Sequence, residues 1–265
     1  MTFIQAIVLG LVQGLTEFLP VSSSGHLIFF PYLFGWTDQG VLFDLILHMG
    51  TLGAVVLFYR HKLLSLAQAA FSCQKENESE RRLAWYIALS VFPAGIAGYL
   101  IETNDRSATI VGISLIVWGV VLYVADRYAQ RRARTVVPTE LTHVSWKDIA
   151  TMSIAQAVAL IPGTSRSGIT MSAGLFRGLS KTAVADISFL MSVPVLTIAG
   201  AVKIFEAVSL GTVDIPIMML VTGFLTSFTS GMFAISFLLK IIKKFDFTPF
   251  VVYRIVVGIL ILWLL

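Results

Sequence analysis

The chain has 265 residues, of which 57% are hydrophobic and only 13% charged, with a mean hydropathy of +0.86 and a formal net charge of +4. That balance excludes a water-soluble domain with an ordinary charged surface and marks an integral membrane protein. Its Lys and Arg residues stand in clusters between apolar runs, so the positive charge belongs to a membrane face and not to a nucleic-acid site. The single cysteine, Cys73, rules out an intramolecular disulfide, and no His/Cys pattern has zinc spacing.

The N-terminal run, 3–19, lacks a positive n-region and a small-residue cleavage site, so it is expected to be retained structure and not a signal peptide. It ends at Pro20 and the serine-rich VSSSG, after which a brief apolar run, 27–34, reaches another break. Three spans are then expected at roughly 41–59, 84–102 and 109–126, each near the ~20 apolar residues that a crossing helix needs. A basic loop, 127–147, follows. The next apolar run, 149–161, ends at Pro162 and another Ser/Gly-rich turn, with a brief run at 171–179 and spans at 184–205, 215–239 and 247–265. Proline and a serine-glycine turn stop helices in mid-membrane. The expected fold is therefore an all-α integral membrane protein with six transmembrane helices and two re-entrant helical hairpins.

The two halves look duplicated. Pro20 and Pro162 lie 142 apart, Asp44 and Asp186 also 142, while Gln13 and Gln156, like Gly25 and Gly168, lie 143 apart. Each hairpin precedes three spans, an odd number, so the halves have opposite orientation. We expect one membrane domain, 1–265, built as an inverted-topology repeat of roughly 1–126 and 148–265, with the hairpin tips face to face near the midplane. Arg60, Lys62, Arg81, Arg82, Arg127, Arg131, Arg132, Arg134, Lys240, Lys243 and Lys244 fall on one side, which the positive-inside rule makes cytoplasmic. The mostly acidic connections near Glu102 to Arg106 and Glu206 to Asp214 then lie outside, as do both termini and the opening of the first hairpin and its site.

Two stretches carry the chemistry: Gln13 to His26, QGLTEFLPVSSSGH, and Gln156 to Thr170, QAVALIPGTSRSGIT. Polar groups at bilayer depth are costly unless they have a function or a partner. Gln13 and Glu17, one helical turn apart, offer an amide oxygen and a carboxylate suited to a hard divalent cation that keeps several waters. Ser22, Ser23, Ser24 and the Gly25 amide form a turn able to bind phosphate oxygens or to supply a nucleophile. His26 stands beside them as a candidate catalytic imidazole. At the second tip Arg166 lies between Ser165 and Ser167, with Gly163 and Gly168 permitting close backbone approach; a guanidinium there asks for a phosphate or a carboxylate, Glu17 included. Asp44, His48 and Asp186 are expected to pack or cap, and Arg177 and Arg254 to snorkel to the interface.

QGLTEFLPVSSSGH and PGTSRSGIT resemble the two signature motifs of the undecaprenyl-pyrophosphate phosphatase family, also called the bacitracin-resistance family. The likeness runs on through DLILHMGTLGAVVLFYR and the closing FTPFVVYRIVVG. The resemblance implies a bacterial inner-membrane enzyme that removes the terminal phosphate of undecaprenyl pyrophosphate, with dependence on Mg²⁺ or Ca²⁺. It places the acidic motif on Gln13 and Glu17, the serine-histidine element on Ser22, Ser23 and His26, and the phosphate-binding element on Ser165, Arg166 and Thr170. Many members of that family have a glutamate where this chain has Gln13, so substrate phosphates would supply much of the cation's coordination. Either Ser23 or His26 acts at the terminal phosphorus on this reading. A homodimer is compatible with the sequence, which does not set the oligomeric state.

Inverted repeats with broken helices are also common in transporters, so the alternative is a transporter or flippase of the polyprenyl phosphate. An anion carrier needs the arginine but not a Glu, Ser and His beside it. The type 2 phosphatidic acid phosphatase superfamily shares the SGH tripeptide, but its lysine-arginine-proline and second histidine-aspartate elements are missing here.

Overall fold

The computed structural model of the chain describes residues 1–100, 107–209 and 215–264. Within them the fold is all-helical: α1 (Phe3–Phe18), α2 (Ser23–Phe34), α3 (Gly40–Phe58), α4 (Arg60–Ala70), α5 (Glu78–Leu89), α6 (Val91–Leu100), α7 (Ala108–Arg132), α8 (Trp146–Val158), α9 (Arg166–Arg177), α10 (Lys181–Ser209), α11 (Ile217–Ile241) and α12 (Thr248–Leu264). An isolated β-bridge between Thr139 and Leu179 ties the basic loop to the junction of α9 and α10. Of the acidic connections expected outside, 102–106 and the 210–214 part of Glu206 to Asp214 fall beyond the described residues, while Glu206 lies in the last turns of α10.

Among the described residues five stretches are long and apolar enough to cross a membrane: Gly40–Phe58, Lys75–Leu100, Ala108–Arg132, Lys181–Glu206 and Ile217–Ile241. The run expected as a sixth span is a shorter apolar helix, α12, of 17 residues. The run expected at 84–102 is interrupted at Ser90, whose hydroxyl turns back onto the Ile87 carbonyl at 2.6 Å, separating α5 from α6. Large apolar side chains such as Ile4, Val117 and Val256 face outward, as a chain solvated by hydrocarbon requires.

Local chemistry explains the short helices. α1 starts on a capping box, in which Thr2 accepts from the Gln5 amide and Gln5 reaches back to the Thr2 amide. It stops at Leu19, which precedes Pro20 and is extended, with ψ 143°. α8 starts on the matching Ser145–Asp148 box and unwinds after Val158 towards Pro162. Both return helices end alike, on left-handed glycines, Gly35 (φ 63°) and Gly178 (φ 88°), which stand 143 residues apart.

Packing gives the helices their directions. α1 lies against α11 through small residues: a methyl group on Gly10 would fall 1.9 Å from Thr226 Oγ1, and one on Gly14 would fall 2.0 Å from Ser230 Oγ. Position 10 meets 226 and position 14 meets 230, so the two helices run parallel. α3 packs beside α11 in the same sense, with Gly50 against Phe224 and Ser227 and with Ala54 against Gly231. α1 therefore heads towards the end of the molecule where α3 and α11 finish. That end holds the ion pairs Lys62–Glu80 (2.8 Å), Arg127–Asp246 (3.2 Å) and Arg177–Asp148 (2.8 Å). α8 sets out from it, since its Asp148 pairs with Arg177 at the close of α9. The α1–α2 and α8–α9 pairs thus enter from opposite ends and meet tip to tip.

Candidate functional site

Both tips repeat one local conformation. Ser22 (φ 75°) and Ser165 (φ 72°) are the non-glycine residues with positive φ among those described. Each precedes a helix and caps it, accepting from the amide three residues on: Gly25 to Ser22 Oγ at 3.4 Å, Gly168 to Ser165 Oγ at 3.1 Å. Backbone strain of this kind persists only where the surroundings impose it. The first helical position after each serine is Ser23 in α2 and Arg166 in α9, and these two side chains converge on one carboxylate. Ser23 Oγ donates to Glu17 Oε2 at 2.6 Å, and Arg166 Nη2 donates to Glu17 Oε1 at 2.7 Å. The Arg166–Glu17 ion pair links the two halves of the chain at their tips.

Glu17 is 6% exposed and its surroundings are crowded with donors. Gln13 Nε2 donates to its Oε2 at 3.1 Å, and His48 Nε2 lies 3.6 Å from the same oxygen. His48 is held by its Nδ1–H, which donates to the Asp44 carbonyl at 2.7 Å. The side chains of Gln13, Glu17, Ser23, His48 and Arg166 therefore form one buried polar cluster between α1, α2, α3 and α9. His48 was expected to pack or cap; it instead faces the carboxylate. One signal was legible: it is one of only 4 histidines, a single turn after Asp44 in an otherwise apolar span.

The other site residues fall into two groups. Ser165, Ser167 and Thr170 use their hydroxyls to build the second tip: Ser165 caps α9, Ser167 Oγ donates to the Leu19 carbonyl at 3.1 Å, and Thr170 Oγ1 meets Ser188 Oγ at 2.7 Å. Ser188 also receives Arg166, whose Nη1 donates to its carbonyl at 2.8 Å. Ser24 Oγ lies 3.4 Å from Ser22 Oγ. The tips touch at Gly25 and Gly163, and Gly163 (φ 86°) lies so close to α7 that a methyl group there would fall 2.7 Å from the Val111 carbonyl oxygen.

His26 makes different contacts. Its Nδ1–H donates to the Ser22 carbonyl at 2.6 Å, so Nε2 accepts from the Tyr253 hydroxyl at 2.7 Å, and the two rings stack 5.6 Å apart. With both nitrogens occupied it braces the strained Ser22 turn and lines an apolar groove of about 420 Å³ between α1, α2 and α12. The structure brings Glu17, Ser23 and Arg166 together and sets His26 against Tyr253.

One arginine corrects the sequence reading. Arg254 does not snorkel: it is completely buried, and every hydrogen bond it makes goes to a backbone carbonyl. Arg177 pairs with Asp148 at 2.8 Å. Asp186, expected to match Asp44, accepts from the Tyr59 hydroxyl, whereas Asp44 accepts from Gln39.

The cluster fits an oxyanion with a hard cation better than a transition metal. The N-termini of α2 and α9, whose first amides have no intrahelical acceptors, are brought together at Glu17 by Ser23 and Arg166, and helix N-termini suit anions. Gln13 Oε1 is buried and has no hydrogen-bond partner among the described residues. No group of three or more His, Cys, Asp or Glu is arranged to hold a metal among the described residues. One carboxylate and one spare amide oxygen suit a cation that draws its other ligands from water and phosphate.

The family model described as "Bacitracin resistance protein BacA" matches residues 6–260. The chain is 43% identical to "Undecaprenyl-diphosphatase 2" of Stutzerimonas stutzeri (strain A1501) over 268 residues, covering 99% of this chain and 98% of that protein. It is 42% identical to an "Undecaprenyl-diphosphatase" of Marinobacter nauticus (strain ATCC 700491 / DSM 11845 / VT8), covering 97% of each chain. Identity is 43% to the protein of the same name from Aliivibrio salmonicida (strain LFI1238), covering 100% and 99%.

Proposed function

Because the chain belongs to the BacA family of bacitracin resistance proteins, we propose that it is a membrane hydrolase removing the terminal phosphate of undecaprenyl diphosphate. The observation that carries the reading is the convergence of Ser23 and Arg166, one from each hairpin tip, on the buried Glu17. The carrier reading is not favoured, since the relatives are named diphosphatases and an anion carrier has no use for a serine on a carboxylate.

The proposed reaction runs as follows. The diphosphate lies between the amide ends of α2 and α9, its terminal phosphate drawing Arg166 partly from Glu17. Ser23 Oγ attacks the terminal phosphorus, the bond to the bridging oxygen breaks, and the lipid monophosphate leaves. The serine proton passes to Glu17 Oε2, its hydrogen-bond acceptor at 2.6 Å. Glu17 hands that proton to the departing lipid monophosphate; water then attacks the phosphoserine, its proton passing through Glu17 to the serine oxygen as the Ser23 O–P bond breaks, which frees inorganic phosphate and restores the carboxylate. Phosphoryl transfer needs mostly positioning and charge stabilisation, which so small a set of groups can provide. Ser23 is preferred to His26 as nucleophile because the imidazole nitrogens are taken by Ser22 and Tyr253. Gln13 and Glu17 would hold a Mg²⁺ or Ca²⁺ ion, which when bound offsets phosphate charge.

The same proposal extends to architecture. Six crossings, counting α12, with α1–α2 and α8–α9 as re-entrant hairpins, make an inverted repeat of roughly 1–126 and 148–265 in a single domain. Support comes from the 143-residue offset shared by Ser22 and Ser165 and by Gly35 and Gly178. By the positive-inside rule the end with the basic loops is cytoplasmic, so both termini and the site's opening are periplasmic in a bacterial inner membrane.

Three outcomes are expected. Purified protein should release inorganic phosphate from undecaprenyl diphosphate, and Arg166→Lys, which keeps the charge but loses the fork, should lower turnover by roughly 10²–10³. Near-normal turnover would reduce Arg166 to a structural partner of Glu17. Gln13→Glu adds a second carboxylate, so the cation concentration giving half-maximal activity should fall; an unchanged midpoint would remove Gln13 from the cation site. In intact cells an impermeant thiol reagent should label Thr37→Cys, made in a Cys73→Ser background, and leave the native Cys73 unlabelled. The reverse pattern would invert the orientation.

A further inference from the structure

Arg254 is the largest fully buried side chain in the protein, and the proposed reaction does not use it. Its Nε donates to the Leu115 carbonyl at 3.1 Å and its Nη1 to the Pro20 carbonyl at 3.2 Å. Its Nη2 donates to the carbonyls of Thr164 (2.9 Å), Gly163 (3.1 Å) and Ser114 (3.4 Å). These acceptors belong to three separate segments: the turn after α1, the turn after α8, and α7. Among the described residues no carboxylate forms an ion pair with it.

The acceptors divide each tip into two sides. Beyond the ends of α1 and α8 the turn carbonyls of Pro20, Gly163 and Thr164 meet the guanidinium, near the negative ends of the two helix dipoles, which a cation suits. Where α2 and α9 begin, their first residues, Ser23 and Arg166, turn to Glu17 instead. Arg254 takes the carbonyl side of both tips at once, which leaves the amide side for the site. Its space is shaped to size: a methyl group on Gly119 would lie 3.3 Å from Arg254 Cβ, and one on Gly168 would lie 3.1 Å from Nη1.

We propose that Arg254 is a positioning residue for phosphate transfer: by binding the turn carbonyls of both hairpins it fixes the separation of the tips, and hence of Ser23 from Arg166. The planar fork is what lets one side chain serve acceptors in three directions; a lysine ammonium has no such geometry. Misplacement of about 1 Å at a reacting centre can cost up to 10²-fold in rate. The substrate's contacts with Arg166 and the helix amides remain when Arg254 changes, so turnover and not KM carries the effect.

This inference rests on the hydrolase reading, so its test has one arm that needs no reaction. In Arg254→Lys, amide hydrogen exchange should quicken together in the turns 19–25 and 162–168 while α3 and α11 stay protected. In the activity arm, kcat for undecaprenyl diphosphate should fall about 10- to 100-fold with KM changed by less than about threefold. Gly119→Ala perturbs Arg254 without removing it or touching either tip, and serves if the lysine variant does not fold; it should lower kcat severalfold at constant KM and loosen the same two turns. Unchanged exchange at both turns, or full kcat in a folded Arg254→Lys or in Gly119→Ala, overturns the proposal. If the unvaried protein releases no phosphate, the hydrolase reading fails, while the exchange arm still decides whether Arg254 holds the tips.

Discussion

A helix that stops in apolar surroundings leaves its last carbonyls and the next helix's first amides without partners, and no water is at hand to supply them. This chain stops two helices in that way, after Phe18 and after Val158. Bringing the two breaks together solves the problem for both. The turn carbonyls of Pro20, Gly163 and Thr164 gather round the guanidinium of Arg254, the serines Ser22 and Ser165 cap the returning helices, and Ser167 closes the contact by donating to Leu19. The breaks are stable as a pair because each supplies what the other lacks.

The same arrangement creates the site. Once the carbonyl sides of the tips are occupied, the amide sides face one another across Glu17, and the first residues of the two helices, Ser23 and Arg166, reach it from opposite directions. Near-identical turns thus deliver different chemistry because one duplicated position holds a hydroxyl and the other a guanidinium. A carboxylate buried between them is tolerated because every donor around it is aimed at it, Gln13 and His48 included. Binding of a diphosphate would exchange one anionic partner of Arg166 for another, while Gln13, Ser23 and His48 stay beside the Glu17 carboxylate.

Much of this was legible in the residues. The 143-residue offsets announced the paired turns, and the resemblance singled out Glu17, Ser23 and Arg166, which do meet. What the sequence hid depends on contacts between distant segments. Arg254 sits in an apolar run near interface-like tyrosine and proline residues, where an arginine normally snorkels; only the packing of α12 against α7 turns it inward. Tyr253, which nothing local singles out, binds His26 across 227 residues of chain. His48 was expected to pack or cap because its place one turn after Asp44 does not show that α3 passes the end of α1. The break at Ser90 was missed since a single serine before Val91 and Phe92 leaves the apolar count unchanged.

The central claim is that the two tips assemble a nucleophile, a proton acceptor and a phosphate ligand from Ser23, Glu17 and Arg166. The most direct measurement is to quench turnover of undecaprenyl diphosphate labelled in its terminal phosphate and locate the label on the protein by peptide mapping. The account predicts phosphoserine at Ser23, accumulating when hydrolysis is slowed and absent from Ser23→Ala. Label on His26, or full turnover by Ser23→Ala, would contradict it.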